Sequence, residues 1–298
     1  MVRQERGSAL GDLVGALVPL SARNLVLDLE ERLRKIPNRI NEYGYDPYGL
    51  SPEWLQRQAL PGVMLYRYYF RAEVKDIERV PAGRCLLVAN HAGQLPFDAM
   101  MLSTAMLLDA EPPRIARGMG EYWIPRLPFV GTAAARGGAM VGTPDNCRHM
   151  LENEECVMVF PEGVRGINKP YRKRYRLQRF GQGFMRLALE ARAPIVPVGI
   201  VGSEEQQPGI ANLPALGRLV GMPAFPITAT FPWLGPLGMV PLPTKWSIDF
   251  GDPIDLGDHG PEDADDPILV NRISEEVRST IQRMVDGRLA RRRSVWFG

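Results

Sequence analysis

A histidine and an aspartate stand close together at the end of an apolar run. His91 and its neighbour Asn90 directly follow residues 85–89, which are predicted to form a buried strand, and Asp98 comes seven residues later. A carboxylate on one imidazole nitrogen fixes the tautomer and leaves the other nitrogen as a base. The pair therefore predicts deprotonation of a hydroxyl group. The alternative is that Asp98 only caps the next helix and His91 is an ordinary polar residue.

A second set of polar residues follows another apolar run. Residues 156–160 predict a strand, and the sequence Pro-Glu-Gly-Val-Arg-Gly after it places Glu162 and Arg165 on a tight turn. A guanidinium binds two phosphate oxygens at once, so Arg165 suits a phosphorylated ligand. The alternative is a surface Glu162–Arg165 pair that contributes little energy.

The elements that would position these residues follow from hydrophobic periodicity. Two further strands are predicted over residues 195–201 and 246–250. Helices are predicted over residues 22–36, 97–109 and 184–192, and from Asp266 onward, the last with the stripe Val270, Ile273, Val277, Ile281 and Met284. Alternating strands and helices predict an α/β fold with a largely parallel sheet, in which functional residues lie beyond the carboxyl ends of the strands.

Composition and charge narrow the class of protein. The 298 residues are 45% hydrophobic and 23% charged, which is typical of a soluble globular protein. A net charge of +2 argues against a nucleic-acid partner, yet seven basic residues and no acid lie between positions 165 and 179. This stretch predicts an anionic ligand or an anionic surface.

Cysteine and histidine usage excludes several kinds of site. Cys85, Cys147 and Cys156 have no CxxC spacing, which argues against a zinc site or a disulfide framework and favours a reducing compartment. There is no HExxH, GxGxxG or GxxxxGK[ST] motif, so no metal and no nucleotide cofactor is expected. The N-terminal residues make a poor signal peptide.

One uncharged run is long enough to cross a membrane. Residues 219–244 lack a formal charge but contain six prolines, which excludes a continuous spanning helix. The run is therefore either a buried irregular segment or an apolar loop in a membrane interface. The side chains of Phe225, Phe231 and Trp233 suit either environment.

Four short blocks occur in an order that resembles a known family. They are Asn90-His91 with Asp98, Gly131 with Arg136-Gly137, residues 160–165, and residues 194–198. Together they are similar to the motif blocks of the glycerolipid acyltransferase family, the lysophosphatidic acid acyltransferase-like proteins. The resemblance covers roughly residues 70–255.

The resemblance implies a fold and a division of the chain. The expected fold is an α/β sandwich around a mixed, largely parallel sheet, with N-terminal and C-terminal helices. Residues 1–69 would form a helical, membrane-associating lead. Residues 70–298 would form the acyltransferase domain.

The resemblance also implies a reaction and roles for individual residues. A fatty acyl group would pass from acyl-CoA or an acyl-carrier protein to a lipid hydroxyl, without a bound cofactor or metal. His91 would be the general base and Asp98 would orient it. The acceptor and its phosphate would be held by Arg136, Glu162, Gly163 and Arg165. Pro197 would have a structural or acyl-donor role.

Departures from the family pattern leave the chemical identity of the acceptor open. Six residues separate His91 from Asp98 where four are usual, and Val164 and Gly166 stand where Thr and Ser are usual. A lysophospholipid such as 1-acylglycerol-3-phosphate is the expected acceptor. A neutral glycerolipid or long-chain alcohol is the alternative, and a catalytically silent lipid-binding protein is another.

The expected location is the cytoplasmic face of a membrane, as a peripheral or monotopic protein without a spanning segment. Phe225, Phe231 and Trp233 are predicted to face that membrane. The partners would be membrane lipid and acyl-CoA, with no nucleic acid. The sequence leaves the oligomeric state open.

Overall fold

The computed structural model describes residues 20–37, 40–219, 225–257 and 259–298. Within them a sheet of seven strands runs in the order β1-β9-β6-β2-β5-β3-β4, and β7 pairs with β8 in a separate ribbon. The strands are β1 Glu73–Lys75, β2 Cys85–Ala89, β3 Ala116–Gly120, β4 Met140–Val141, β5 Cys156–Val159, β6 Ile195–Val201, β7 Gly209–Asn212, β8 Pro226–Thr228 and β9 Ser247–Phe250. Neighbours in the large sheet are parallel except for β6 and β9, which are antiparallel. The expected mixed, largely parallel sheet is confirmed.

Helices cover both faces of this sheet. They are α1 Leu20–Lys35, α2 Pro52–Met64, α3 Phe97–Leu108, α4 Val130–Arg136, α5 Pro144–Glu152, α6 Val164–Ile167, α7 Gly183–Glu190, α8 Pro214–Leu219 and α9 Pro267–Arg291, and a π-helical turn, Leu65–Tyr69, continues α2. α1, α2 and α3 pack on one face, and α5, α7 and α9 pack on the other. This is the α/β sandwich that the resemblance implied.

The central strands are buried on both faces, as their continuous apolar sequences require. In β2, Cys85, Leu87 and Ala89 point into the first hydrophobic cluster, whereas Leu86 and Val88 point into the second. This alternation follows from the two-residue period of a strand. The three cysteines are free and buried, as their apolar surroundings in the sequence suggested.

The helices that flank the site begin where the sequence predicts. α3 is apolar on nearly all sides and is largely buried beside β2. α9 begins after Asp266, whose carboxylate accepts hydrogen bonds from the Ile268 and Leu269 N–H groups. The sequence predicted Met284 as the last member of the buried stripe of α9. In the structure Val285 is fully buried instead, and Met284 is half-buried.

The N-terminal part of the chain joins the same core. Leu29 of α1, Leu50 and Tyr66 belong to the hydrophobic cluster that contains β2 and α3. Residues 1–19 of the predicted lead lie outside the described residues, and the predicted division at residue 70 stays a prediction. None of the helices in the described ranges is both long and apolar enough to cross a membrane.

Candidate active site

The loop after β2 brings His91 and Asp98 into contact. His91 Nδ1 lies 2.6 Å from Asp98 Oδ2, and the carboxylate also accepts the Ala92 and Ala99 N–H groups at 2.9 Å. The Asp98 side chain is fully buried in the first turn of α3, whereas the His91 ring is 13% exposed. With Nδ1 donating to the carboxylate, Nε2 is the basic nitrogen left to face a ligand.

The six-residue spacing is accommodated by the geometry of this loop. Pro96 occupies the N-cap position of α3, and no side chain caps that helix end. Asp98 therefore lies one residue inside the helix, from where its carboxylate reaches back to His91. A negative charge in the first helical turn is also favoured by the helix dipole.

Asn90 anchors the loop to the neighbouring strand. Its side-chain amide donates to the Ile200 carbonyl at 2.9 Å and its side-chain oxygen accepts the Ile200 N–H at 2.7 Å. The buried amide thus continues the β2–β6 pairing beyond the end of β2. The sequence drew attention to Asn90 only as the neighbour of His91.

Glu162 fixes His91 from the loop after β5. This carboxylate is 1% exposed, accepts the His91 N–H at 3.0 Å and the Gln178 N–H at 2.6 Å, and lies 3.3 Å from Lys169 Nζ. The alternative of a surface Glu162–Arg165 pair is wrong, because Glu162 is buried and bonds other groups. Any effect of Glu162 on acceptor binding has to act through the loop that it holds.

Lys169 belongs to the basic stretch of residues 165–179, but its side chain is buried. Its ammonium is buried between Glu162 and Glu204, with Nζ 2.9 Å from Glu204 Oε1. Including Lys169 in an anion-binding stretch was therefore wrong, since two carboxylates neutralise its charge. Burial raises the pKa of Glu204 to about 7, while Lys169 opposes that rise.

Two glycines allow the loop after β5 to approach His91. Gly163 has φ +55° and ψ −147°, a backbone conformation that residues with a side chain avoid. A Cβ at Gly166 would lie 2.8 Å from the His91 carbonyl oxygen and 2.9 Å from His91 Cβ. A serine at position 166, the usual family residue, would therefore not fit beside His91 in this arrangement.

The two candidate phosphate-binding arginines have no ion pair among the described residues. Arg165 is exposed on α6, next to Gly166 and so near His91. Arg136 is half-buried at the end of α4, where its carbonyl accepts the Ser51 N–H at 3.1 Å. Pro197 lies inside the sheet opposite Val88, which is a structural position.

An apolar cleft opens beside the histidine. It has a volume of about 310 Å³, and its lining includes Met119, Tyr122, Val159, Phe160, Phe184 and Leu187. The Phe160 ring, with its centroid 4.5 Å from that of His91, joins the cleft to the base. Such a lining suits a hydrocarbon chain. Periodicity predicted Phe160 as the end of a strand but not as a wall of this cleft.

The proline-rich run is partly exposed and partly packed. The Trp233 side chain is 71% exposed, whereas Phe225 and Phe231 are half-buried with their ring centroids 5.3 Å apart. Residues 220–224 of the run lie outside the described residues. The buried-segment alternative therefore does not hold for Trp233.

The fold and the site define an α/β sandwich with a histidine–aspartate pair at the carboxyl ends of its parallel strands, beside an apolar cleft. The chain contains an acyltransferase domain. The family model described as Acyltransferase matches residues 71–201, which include His91, Asp98 and the loop after β5.

Relatives cover most of the chain. Uncharacterized proteins of Mycobacterium tuberculosis and Mycobacterium leprae are 42% identical over 260 residues, which is 86% of this chain and 73% and 71% of theirs. A mouse protein named as a DGAT1/2-independent enzyme synthesizing storage lipids is 21% identical over 72% of this chain and 59% of its own. The crystal structure of the LPA acyltransferase PlsC from Thermotoga maritima matches 95% of both chains with a TM-score of 0.53 at 17% identity, a likeness of fold.

Replacing either member of the pair is expected to abolish acyl transfer. We expect no measurable transfer from His91→Ala, and a loss of roughly 10⁴-fold in kcat from Asp98→Asn, as in a serine–histidine–aspartate triad. Thioester consumption with a lipid hydroxyl acceptor measures the rate, and thermal unfolding checks the fold. His259→Ala, which removes a surface histidine 3.3 Å from Asp263, is the control. Near-native rates for Asp98→Asn would contradict this role.

Adding one methyl group at Gly166 is expected to displace His91. Because the new Cβ would overlap the His91 backbone, Gly166→Ala should lower kcat by roughly 10²-fold, the typical cost of a misplacement of about 1 Å. Gly287→Ala on α9 is the matched control, since nothing lies within 4 Å of its Cβ position. If Gly166→Ala lowered only the melting temperature, the glycine would serve packing alone.

Proposed function

We propose that this protein transfers a fatty acyl group from a thioester, acyl-CoA or acyl-carrier protein, to the hydroxyl of a glycerolipid. The observation that carries the proposal is the 2.6 Å contact between His91 Nδ1 and Asp98 Oδ2, within a family-matched domain. A silent lipid-binding protein has no chemical need for a buried carboxylate that orients a partly exposed imidazole.

The reaction needs a base but no covalent intermediate on the enzyme, because the thioester is already activated. His91 Nε2 takes the proton of the acceptor hydroxyl while its oxygen attacks the thioester carbonyl carbon. The tetrahedral intermediate expels the thiolate, which receives the proton from the imidazolium. Asp98 holds the ring in place and stabilises its positive charge.

The apolar cleft supports the acyl half of this proposal. Its wall at Phe160 contacts the His91 ring, so a chain lying in the cleft would bring its thioester carbon to the base. Gly163 and Glu121 line the same cleft, where a polar thioester end would be placed.

The favoured acceptor is a lysophospholipid such as 1-acylglycerol-3-phosphate. Arg165 is exposed, belongs to the loop that touches His91, and has no ion pair in the described part of the chain. An unpaired guanidinium near the base suits the acceptor phosphate. Arg136, also unpaired there, is a second candidate.

A neutral acceptor is the second candidate. Burial of Lys169 between two carboxylates removes one cation from the same loop, which weakens the case for a strongly anionic site. The mouse relative is named as an enzyme synthesizing storage lipids.

Removing Arg165 separates the two acceptor classes. We expect Arg165→Ala to raise the KM for 1-acylglycerol-3-phosphate at least tenfold, because losing a charge-assisted hydrogen bond costs roughly 1.5–3 kcal/mol. The KM for a monoacylglycerol should stay unchanged. Arg179→Ala, in the same basic stretch, is the matched control. Equal effects on both acceptors would favour the neutral class.

The same proposal places the protein on the cytoplasmic face of a membrane. An apolar face comprises the exposed side chains Trp233, Leu234, Leu237, Val240 and Phe297. Arg71 joins its two parts, donating to the Pro243 carbonyl at 2.9 Å and to the Trp296 carbonyl at 2.7 Å. Exposed rings and leucines of this kind suit the headgroup boundary of a bilayer, and buried free cysteines suit a reducing compartment.

Polar substitutions on the apolar face should weaken membrane binding without unfolding the protein. Trp233 is 71% and Leu237 74% exposed, so Trp233→Ser with Leu237→Ser should leave the melting temperature unchanged. Sedimentation with phosphatidylglycerol vesicles should show binding at least about tenfold weaker, since burying each such side chain contributes roughly 1.5–3 kcal/mol. Ile268→Ser, an exposed isoleucine on α9, is the control. Unchanged vesicle binding would assign membrane contact to another surface.

A further inference from the structure

A second cavity includes Asn168, just after α6, whereas the apolar cleft includes Gly163, just before it. Its volume is about 510 Å³, and its lining includes Gln94, Asn168, Tyr171, Arg172 and Asn212. Gln94 places this cavity near the base. It lies three residues after His91, so the Cα atoms of the two residues are at most about 11 Å apart. The Gln94 amide also donates to the Ile167 carbonyl at 3.0 Å, which fixes this wall against α6.

Unpaired cations lie at this cavity: Arg172 lines it, and Lys173 and Arg174 follow Arg172 in the chain. Arg172 and Lys173 are exposed on the turn Tyr171–Lys173, and Arg174 follows with its guanidinium 4.5 Å from the Tyr171 ring centroid. None of these three has an ion pair with another described residue. No carboxylate lines the cavity among the residues that the structure describes, and the one buried cation there, Lys169, is already neutralised by Glu162 and Glu204.

This combination indicates a small, polyanionic ligand. Several neighbouring positive charges without partners repel one another and gain most when phosphates lie between them. The cavity has the size of a small-molecule site, and its aromatic and amide side chains, Tyr171 and Asn212, can contact a ring and its hydrogen-bonding edge. A protein partner would instead require a broad contact surface.

We propose that this cavity binds the phosphate-bearing nucleotide end of a CoA thioester, with Arg172 and Lys173 contacting the phosphates. The inference rests on the proposed function and adds to it the class of donor. The donor would then enter from the α6 turn and extend past Gln94 toward His91. Its acyl chain would continue into the apolar cleft beyond Phe160.

The test compares two donors that differ only in the nucleotide end. Initial rates are measured with palmitoyl-CoA and with palmitoyl-pantetheine, using one acceptor at constant ionic strength. Arg172→Ala with Lys173→Ala should raise the KM for palmitoyl-CoA at least tenfold, the factor expected for losing one charge-assisted hydrogen bond. The kcat and the KM for palmitoyl-pantetheine should stay within twofold of the unmodified protein. The control, Arg272→Ala with Arg283→Ala, removes the same charge from exposed positions on α9.

The other outcomes overturn the proposal. Equal effects on both donors, or equal effects in the control, would show a general electrostatic change. A raised acceptor KM or weaker binding to phosphatidylglycerol vesicles, with the palmitoyl-CoA KM unchanged, would assign the cations to lipid headgroups. An effect confined to palmitoyl-carrier protein would assign them to that partner.

Calorimetry with free CoA keeps this proposal separate from the proposed function. If the unmodified protein transfers no acyl group to any acceptor, the proposed function fails. CoA binding that weakens at least tenfold in the double variant, but not in the control, would still support the cavity assignment. Absence of CoA binding to the unmodified protein would overturn it.

Discussion

The buried carboxylate of Glu162 holds the candidate active site together. One of its oxygens accepts the His91 N–H, and the other accepts the Gln178 N–H and faces Lys169. Lys169 in turn pairs with Glu204 from the loop after β6. The loops that follow three adjacent strands, β5, β2 and β6, are thereby fixed to one another.

Burying these charges is costly, and the arrangement is stable only because every charge has partners. Each ion loses several kcal/mol of hydration on burial, which close and well-oriented partners offset. Removing one member would leave an uncompensated charge in the interior and loosen all three loops. We infer that the network positions the base, while Asp98 sets the orientation of its ring.

The groups near His91 differ in chemistry, and each suits a different part of the proposed substrates. The apolar cleft is lined by Phe160 and Gly163, which precede α6, and the second cavity is lined by Asn168 and Arg172, which follow it. Arg165 stands on α6 between them. In the proposed assignment, a hydrocarbon chain, a phosphorylated group and a reacting hydroxyl would contact different side chains around His91. On the same proposal, the exposed Trp233 and Leu237 would give a water-insoluble substrate a surface from which to enter.

Much of this architecture could be predicted from local sequence. Continuous apolar runs identified β2, β5 and β6, because these strands are buried on both faces. The apolar stripe that begins at Val270 identified α9, because burial on one face leaves a distinct period in the sequence. Strands β1 and β4 have only three and two residues, too few to show any period. The sequence also selected His91, Asp98 and Glu162, since strand ends in parallel sheets converge at one edge.

What the sequence by itself determined is the strands β2, β5, β6 and β9, the helices α1, α3, α7 and α9, and the identity of the polar residues at the strand ends. Only the tertiary structure decided which of these residues pair, because contacts between the loops after different strands depend on backbone placement that no local pattern records. Lys169 looked like one cation among seven, yet it is buried between Glu162 and Glu204. Gly166 looked like a departure from a motif, yet its missing side chain is what lets His91 approach.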